Sequence, residues 1–463
     1  MATSSICTSN LTSGFVDLAT FDELEKYMYG GPHATAYFVR ETRKSTWFTQ
    51  VPVVLSRASG QPGFNQEWSV AISRAGDYLL YTWLRVATPQ VQLQAGATLN
   101  QRLRWTRNFM HNLVRECCIT FNDLVAARFD NYHLDFWSAF TVPAGKRNAY
   151  NNMIGNFTAM IAGQDRTAPI PSFTLNLPLP FFFSRDSGVA LPTAALPYND
   201  MRISFSFRDW TELLIFDDIA LVGTGTNPSR CAVATDLLNG APALGTTQVW
   251  ANYAIVSNDE RKRMGCAPRD ILIEQVQSLT RQTFAPATNP NPSYDVRFSH
   301  AIKALFFGVR NNTTACEWSN YTTHSPIPSV GGVIFNQDET FDPILETSLL
   351  YENTARLSQM GSDYFSFVNP FYHAVSVPLE TGYHMYSYTL DLVCLDPMGS
   401  TNYGKLTNVS VAPTASASAV VGANGTGAVG RGADYAQTYE FVLTAVNNNI
   451  IRISGGALGF PVL

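Results

Sequence analysis

Met201, Ile203, Phe205 and Phe207 alternate with Arg202, Ser204, Ser206 and Arg208. This is the period of a strand with one buried face. The same alternation runs through Tyr386, Tyr388, Leu390 and Leu392 against Ser387, Thr389 and Asp391, and through Tyr439, Phe441, Leu443 and Ala445 against Glu440, Val442 and Thr444. In AIKALFFGV, residues 301–309, both faces are apolar, as in a strand covered on both sides. Prolines (25) and glycines (31) are frequent enough to break the chain into strands and long loops. Beyond residue 35 few segments have helical period, so the pattern predicts an all-β chain of the sandwich kind.

One helix is signalled near the start, in ATFDELEKYMYGGP. Thr20 and Glu23 have capping-box spacing, Phe21, Leu24 and Met28 share a face, and Gly30, Gly31 and Pro32 stop the helix. Such a helix either packs on its own domain or docks as an arm on a neighbour or a membrane surface. The charged run NDERKRMG, residues 258–265, reads as a junction between two β domains. The expected division is an arm at 1–34, a first domain at 35–257, a linker at 258–267 and a second domain at 268–463. Each domain holds about 200 residues, enough for an eight-stranded jelly roll. The Ala/Gly/Ser-rich stretch 412–436 reads as an exposed loop.

Composition narrows the function. Only 14% of residues are charged, the net charge is -5, and aromatics reach 12%. Buried interface cores are depleted in charge and enriched in aromatic rings. A core-rich β protein and a surface covered by partners both fit. No stretch approaches the roughly 18–20 apolar residues of a membrane-spanning helix. MATSSICTSNLTSGFVDLATF lacks a basic region followed by an apolar block, so no secretory signal is expected. Seven irregularly spaced cysteines without C-x-x-C argue for free thiols in a reducing compartment.

Catalytic, cofactor and metal sites are not expected. GTGAVG, residues 425–430, matches G-x-G-x-x-G but lacks the flanking strand and helix of a dinucleotide site. The seven histidines stand apart, with neither H-x-H nor H-E-x-x-H. Asp217-Asp218 and Asp259-Glu260 pair carboxylates as a glycosidase would, but adjacent carboxylates also occupy turns. Basic residues cluster at 39–46 and 102–107 without the concentrated basic face of a nucleic-acid binder. N-x-S/T sequons begin at Asn10, Asn156, Asn311, Asn312, Asn320, Asn408 and Asn424. They are doubtful glycosylation sites without a secretory route.

The stretch LPLPFFFSRDSGVALPTAALPYNDMRI, residues 177–203, resembles a signature of the major capsid proteins of nucleocytoplasmic large DNA viruses. YFVRETRKSTWF (37–48), SRAGDYLLYTWLRVATP (73–89), NDERKRMG, RFSHAIKALFF (297–307), DPMGSTNYGKLTNVSV (396–411) and NNNIIRISGGALGFPVL (447–463) resemble further family segments in the same order. The wording is most like that of invertebrate iridescent viruses. The resemblance implies a double jelly roll, two eight-stranded β-sandwiches in tandem behind a short N-terminal helical arm. It implies homotrimers forming pseudo-hexagonal capsomers of an icosahedral shell over an inner lipid membrane, assembled in the host cytoplasm. Partners would be further copies of the chain and minor capsid proteins, with the membrane reached through other proteins and no direct nucleic-acid contact. Phe181, Phe182 and Phe183 would fill an interface, either between subunits or between the two rolls, and Phe21, Leu24 and Met28 would give the arm a docking stripe. A glycan-binding β-sandwich and a β-sandwich hydrolase are the competing readings. The first lacks a secretory route and disulfides, the second its motifs.

Overall fold

The structure is a computed structural model describing residues 3–236, 238–323, 339–425 and 435–461. It forms two units, Met1–Trp47 and Phe48–Leu463. In the first unit, helices span Thr3–Ala19 and Glu23–Met28. The second helix starts later than the Thr20–Glu23 spacing predicts, because Asp22 is the cap. Its carboxylate accepts from Glu23 N at 2.8 Å, while Glu25 accepts from Asp22 N at 3.1 Å. The Thr20 hydroxyl turns back to Asp17 O instead. The longer helix escaped prediction because its Ser/Thr-rich sequence is poor in strong helix formers.

In the second unit, Phe48–Val54, Thr247–Val256, Tyr78–Ala87 and Thr174–Pro178 lie in that order in one sheet. Ser56–Gly60, Glu67–Ala71, Met201–Phe207, Val114–Phe121 and Leu124–Asp130 form a second, and Ser229–Cys231, Leu214–Asp218 and Gln101–Trp105 a third. Farther along the chain, Arg269–Ser278, Tyr439–Ser454, Ala301–Asn311 and His384–Ser387 form the spine of a seven-stranded sheet. Tyr294–Asp295, Val409–Ala415, Ile344–Tyr351 and Thr354–Gly361 complete a four-stranded one.

The sheets are jelly-roll-like in arrangement, but the expectation of an all-β double jelly roll with helix only in the arm is overturned. Among the described residues seven further α-helices are distributed between the strands: Phe109–Leu113, Asn131–Thr141, Ala144–Ile154, Thr158–Ile161, Asn258–Cys266, Asn369–His373 and Ala417–Asn424. Among the described residues the five sheets hold four, three, seven, four and five strands. The charged run 258–265 is therefore helical, held by an Arg261–Asp77 ion pair at 2.7 Å. The stretch 412–436 begins as the end of a strand and continues as a helix capped by the Ser416 hydroxyl. That helix ends on Gly425 at φ 66°, and residues 426–434 lie outside the described ones. The alternation at 386–392 stops early. Ser387 and Thr389 turn their hydroxyls onto Thr389 O and Asp391 O, and these local bonds end the ladder.

The helix Asn131–Thr141 explains the two-faced strands. Asp130 caps it, accepting from His133 N at 2.9 Å, and residues 131–140 are all buried. Phe136 and Phe140 stack on Phe306 of the strand Ala301–Asn311. Within that strand Ala304 and Phe306 join the core shared with the first half, whereas Ile302, Leu305, Phe307 and Val309 join a second core. The neighbouring strand Tyr439–Ser454 divides likewise, with Val442 and Val446 facing one core and Phe441, Leu443 and Ala445 the other. The seven-stranded sheet is thus a wall between two cores, and its strands read apolar on both faces for that reason.

Asp135, on the same helix, ties this wall to the first half. Its buried carboxylate meets Asn108 Nδ2 at 3.2 Å, His111 Nδ1 at 2.8 Å, Ser319 Oγ at 2.8 Å and Tyr321 OH at 3.0 Å. Beneath it, His133 has no hydrogen-bond partner for either ring nitrogen among the described residues. Burial, reinforced by the positive charge of Arg185, pushes the His133 pKa down to about 3.

Two predictions follow from this centre. Asp135→Ala strands four donors and should cost about 3–5 kcal/mol of stability. Asp135→Asn keeps the shape and part of the bonding and should cost less. Urea unfolding of both variants checks this, and wild-type midpoints would refute it. For His133, the unfolded chain takes up a proton below about pH 6.5 that the folded chain refuses until about pH 3. Its contribution to stability is present above that window and is lost as pH falls through it, by at most about 1.4 kcal/mol per pH unit. His133→Leu should therefore show a shallower loss of stability than wild type between those pH values, and parallel profiles would remove His133 as the cause.

Candidate assembly surfaces

Phe182–Ser184 is a single 3-10 turn, and Phe181, Phe182 and Phe183 are each 1% exposed. The Phe181 ring lies 5.2 Å from Phe129 and 5.5 Å from Phe183, which meets Phe182 edge-on at 5.3 Å. Such offset and edge-on pairs add to the stabilisation from burial. All three rings are covered within one chain. The next residue, Arg185, stacks on Trp137 at 3.6 Å and pairs with Glu274 of the seven-stranded sheet at 3.3 Å. Glu274 also receives Lys303 Nζ at 2.5 Å. The segment therefore presses the first half against the second.

The basic cluster 102–107 turns inward. Arg104 pairs with Asp217 at 2.7 Å and Glu317 at 3.3 Å, and Arg107 pairs with Glu380. Burial pushes the Glu317 carboxyl up, opposed by Arg104. Trp318 lies between two guanidinium groups, Arg310 at 3.6 Å and Arg208 at 4.0 Å, and donates its indole N–H to Glu212 O at 2.8 Å. Burial brings Arg208 down to about 10. These arginines hold the two halves of the chain together and present no basic face. The cluster 39–46 is exposed within the first unit.

The paired carboxylates are structural. Asp217 is buried against Arg104 and the Ser229 hydroxyl, and Asp218 caps a turn at Ala220. Asp259 and Glu260 lie in the first turn of the helix Asn258–Cys266, where carboxylates favour the helix dipole. No group of three His, Cys, Asp or Glu side chains suited to a metal occurs among the described residues.

The sequons divide by burial. Asn311 and Asn320 are buried. Asn311 Nδ2 donates to Thr322 O, and Asn320 Oδ1 accepts from the Thr322 hydroxyl at 2.7 Å. A glycan cannot be attached to either without opening this turn. Asn156 and Asn312 are half-buried, whereas Asn10, Asn408 and Asn424 are exposed.

Exposed apolar surface gathers where the sequence reading placed none. Phe371 is 71% exposed, Tyr372 72% and Leu379 68%, on the helix Asn369–His373 and the segment after it. Leu390, 70% exposed, is brought alongside by the bond between His373 Nδ1 and Leu390 O at 3.1 Å. The only signal in the sequence was the aromatic, proline-bearing run NPFYHAVSVP, residues 369–378. In the first unit, Phe21, Leu24 and Met28 are also exposed. Large apolar side chains left exposed close together are candidates for an interaction surface.

Comparison with known proteins gives this surface its context. Residues 36–256 match the family described as major capsid protein N-terminus, and residues 260–459 match that described as large eukaryotic DNA virus major capsid protein. The major capsid protein of Costelytra zealandica iridescent virus is 67% identical over 462 residues, covering 99% of this chain and 100% of the relative. That of Lymphocystis disease virus 1 is 51% identical over 468 residues, covering 99% and 100%. Among solved structures, a chain of the PBCV-1 virus capsid is similar with a TM-score of 0.72 at 20% identity, over 92% of this chain and 100% of that one. The Faustovirus major capsid protein is similar with a TM-score of 0.68 at 11% identity, over 91% and 93%. These two structural likenesses show the fold, whereas the sequence matches cover both halves at high identity. The chain belongs to the iridovirus major capsid protein family and is a structural, non-enzymatic protein of the capsid of a large DNA virus.

Proposed function

We propose that the chain assembles into homotrimers, and that these are the pseudo-hexagonal capsomers of an icosahedral shell built in the host cytoplasm over an inner lipid membrane. The observation that carries this reading is the exposure of Phe371, Tyr372, Leu379 and Leu390 in a capsid protein of low charge content. Two aromatic side chains bury about 150–250 Å² each when covered. A surface of that kind suits a permanent subunit contact better than solvent. Minor capsid proteins are the proposed partners of the N-terminal unit through Phe21, Leu24 and Met28, with the membrane reached through them. No basic face supports direct nucleic-acid binding.

Mass measurement in solution should give a particle of three times the 51.0 kDa chain. The double variant Phe371→Asp, Tyr372→Asp should keep its circular dichroism spectrum and lose the trimer, because both rings are exposed in the single chain. Trimers from that variant would exclude the patch, and monomers or dimers from wild type would exclude the trimer. A chain starting at Thr35 should fold and trimerise but fail to complete shells in infected cells. Complete shells would make residues 1–34 dispensable.

A further inference from the structure

Cys231 ends the strand Ser229–Cys231 of the first half, and Cys316 lies in the turn after the strand Ala301–Asn311 of the second. Both are free, Cys231 half-buried and Cys316 buried, and they lie on neighbouring segments across the join. The two segments are fastened side by side. Asn227 Nδ2 donates to Thr314 Oγ1 at 3.0 Å, and the Thr314 hydroxyl donates to Ser229 O at 3.3 Å. Two residues beyond this contact on each segment are the paired cysteines. Arg104 bridges the same join, from Asp217 on the neighbouring strand to Glu317 beside Cys316. Cys117 and Cys118, by contrast, are adjacent on one strand, and so point to opposite faces.

We propose that Cys231 and Cys316 are a redox site, closed into a reversible intramolecular disulfide by a small-molecule disulfide of the glutathione class. The order of attack follows from access. Cys231 is the thiol a reagent can reach, because it is only half-buried whereas Cys316 is buried. The neighbouring Cys316 thiol draws the Cys231 thiol below its ordinary pKa, while burial pushes Cys316 up. The Cys231 thiolate attacks one sulfur of glutathione disulfide and forms a mixed disulfide. The other glutathione leaves as a thiolate and takes up the proton that Cys231 released. Cys316 then loses its proton and attacks the Cys231 sulfur, which breaks the mixed disulfide and releases the second glutathione. Two protein thiols are oxidised and one glutathione disulfide is reduced to two thiols. The glutathione pool of a cell keeps such a pair open, and an oxidising exterior closes it. The bond would covalently join the two halves of the chain outside the cell.

The test is to incubate the purified, full-length native protein with glutathione disulfide, block remaining thiols by alkylation, and map the peptides by mass. The expected product in wild type is a Cys231–Cys316 cross-linked peptide lighter by two hydrogens and lost on reduction. In Cys316→Ser the reaction should stop at a glutathione adduct on Cys231, and in Cys231→Ser the Cys316 thiol should stay free. Should either variant fail to fold, a wild-type time course replaces it, with the Cys231 adduct preceding the cross-link. The exposed Cys266 reports that the reagent is active. Glutathione on Cys266 with no Cys231–Cys316 peptide in native protein overturns the proposal, as does a cross-link that forms only in urea.

Discussion

The carboxylate of Asp135 carries the junction of this molecule. It is fully buried, and taking such a charge out of water is expensive unless its lone pairs are filled. Four donors fill them, two from Asn108 and His111 of the first half and two from Ser319 and Tyr321 of the second. These bonds can be completed only when the helix Asn131–Thr141 is seated against the strand Ala301–Asn311. The apolar contacts of Phe136 and Phe140 with Phe306 give that seating its driving force, and Asp135 gives it a single register. The two halves are consequently joined by a continuous core.

The sparse charge of the sequence acquires a structural meaning from the same region. Arg104, Arg107, Arg185, Arg208 and Arg310 all point into the join, where they meet Asp217, Glu317, Glu380, Glu274 and Glu440 or stack on Trp137 and Trp318. Planar guanidinium groups suit this role, because they bond in their plane and stack with their faces. These charges fix the join from within, while the rings of Phe371 and Tyr372 are left exposed on the single chain.

Much of the fold was legible where one physical demand set the residue type. Met201–Phe207 alternates because one face is buried, and AIKALFFGV is apolar throughout because both faces are. The family signature was legible for another reason: its Phe181–Phe183 turn is a compact, fully buried packing unit. The helices were not legible. Asn131–Thr141 does carry Tyr132, Phe136 and Phe140 at helical spacing, a stripe that the reading of the chain as strands passed over, and its polar side with Asp135 and Ser138 is buried as well. The helix Ala417–Asn424 has the composition of a loop and stands on its Ser416 cap and Gly425 stop. The exposed patch was invisible for a third reason. Its NPFYHAVSVP resembles LPLPFFF in composition, yet one run is exposed and the other buried, and only the tertiary structure separates them.

The strand Tyr439–Ser454 has a consequence for how the molecule is made. It is the middle of the seven-stranded sheet, yet its main partners, Arg269–Ser278 and Ala301–Asn311, precede it by more than a hundred residues. A ribosome making this chain therefore produces both flanking strands long before the one that joins them. Until it arrives, the wall between the two cores has a gap, and the facing edges of Arg269–Ser278 and Ala301–Asn311 have no strand between them. Long-range pairing of this kind slows folding and leaves sticky surface open meanwhile. Its benefit is in timing. A nascent chain cannot present a finished surface to its neighbours before its own sheet is filled, so the order of synthesis withholds incomplete subunits from a growing shell.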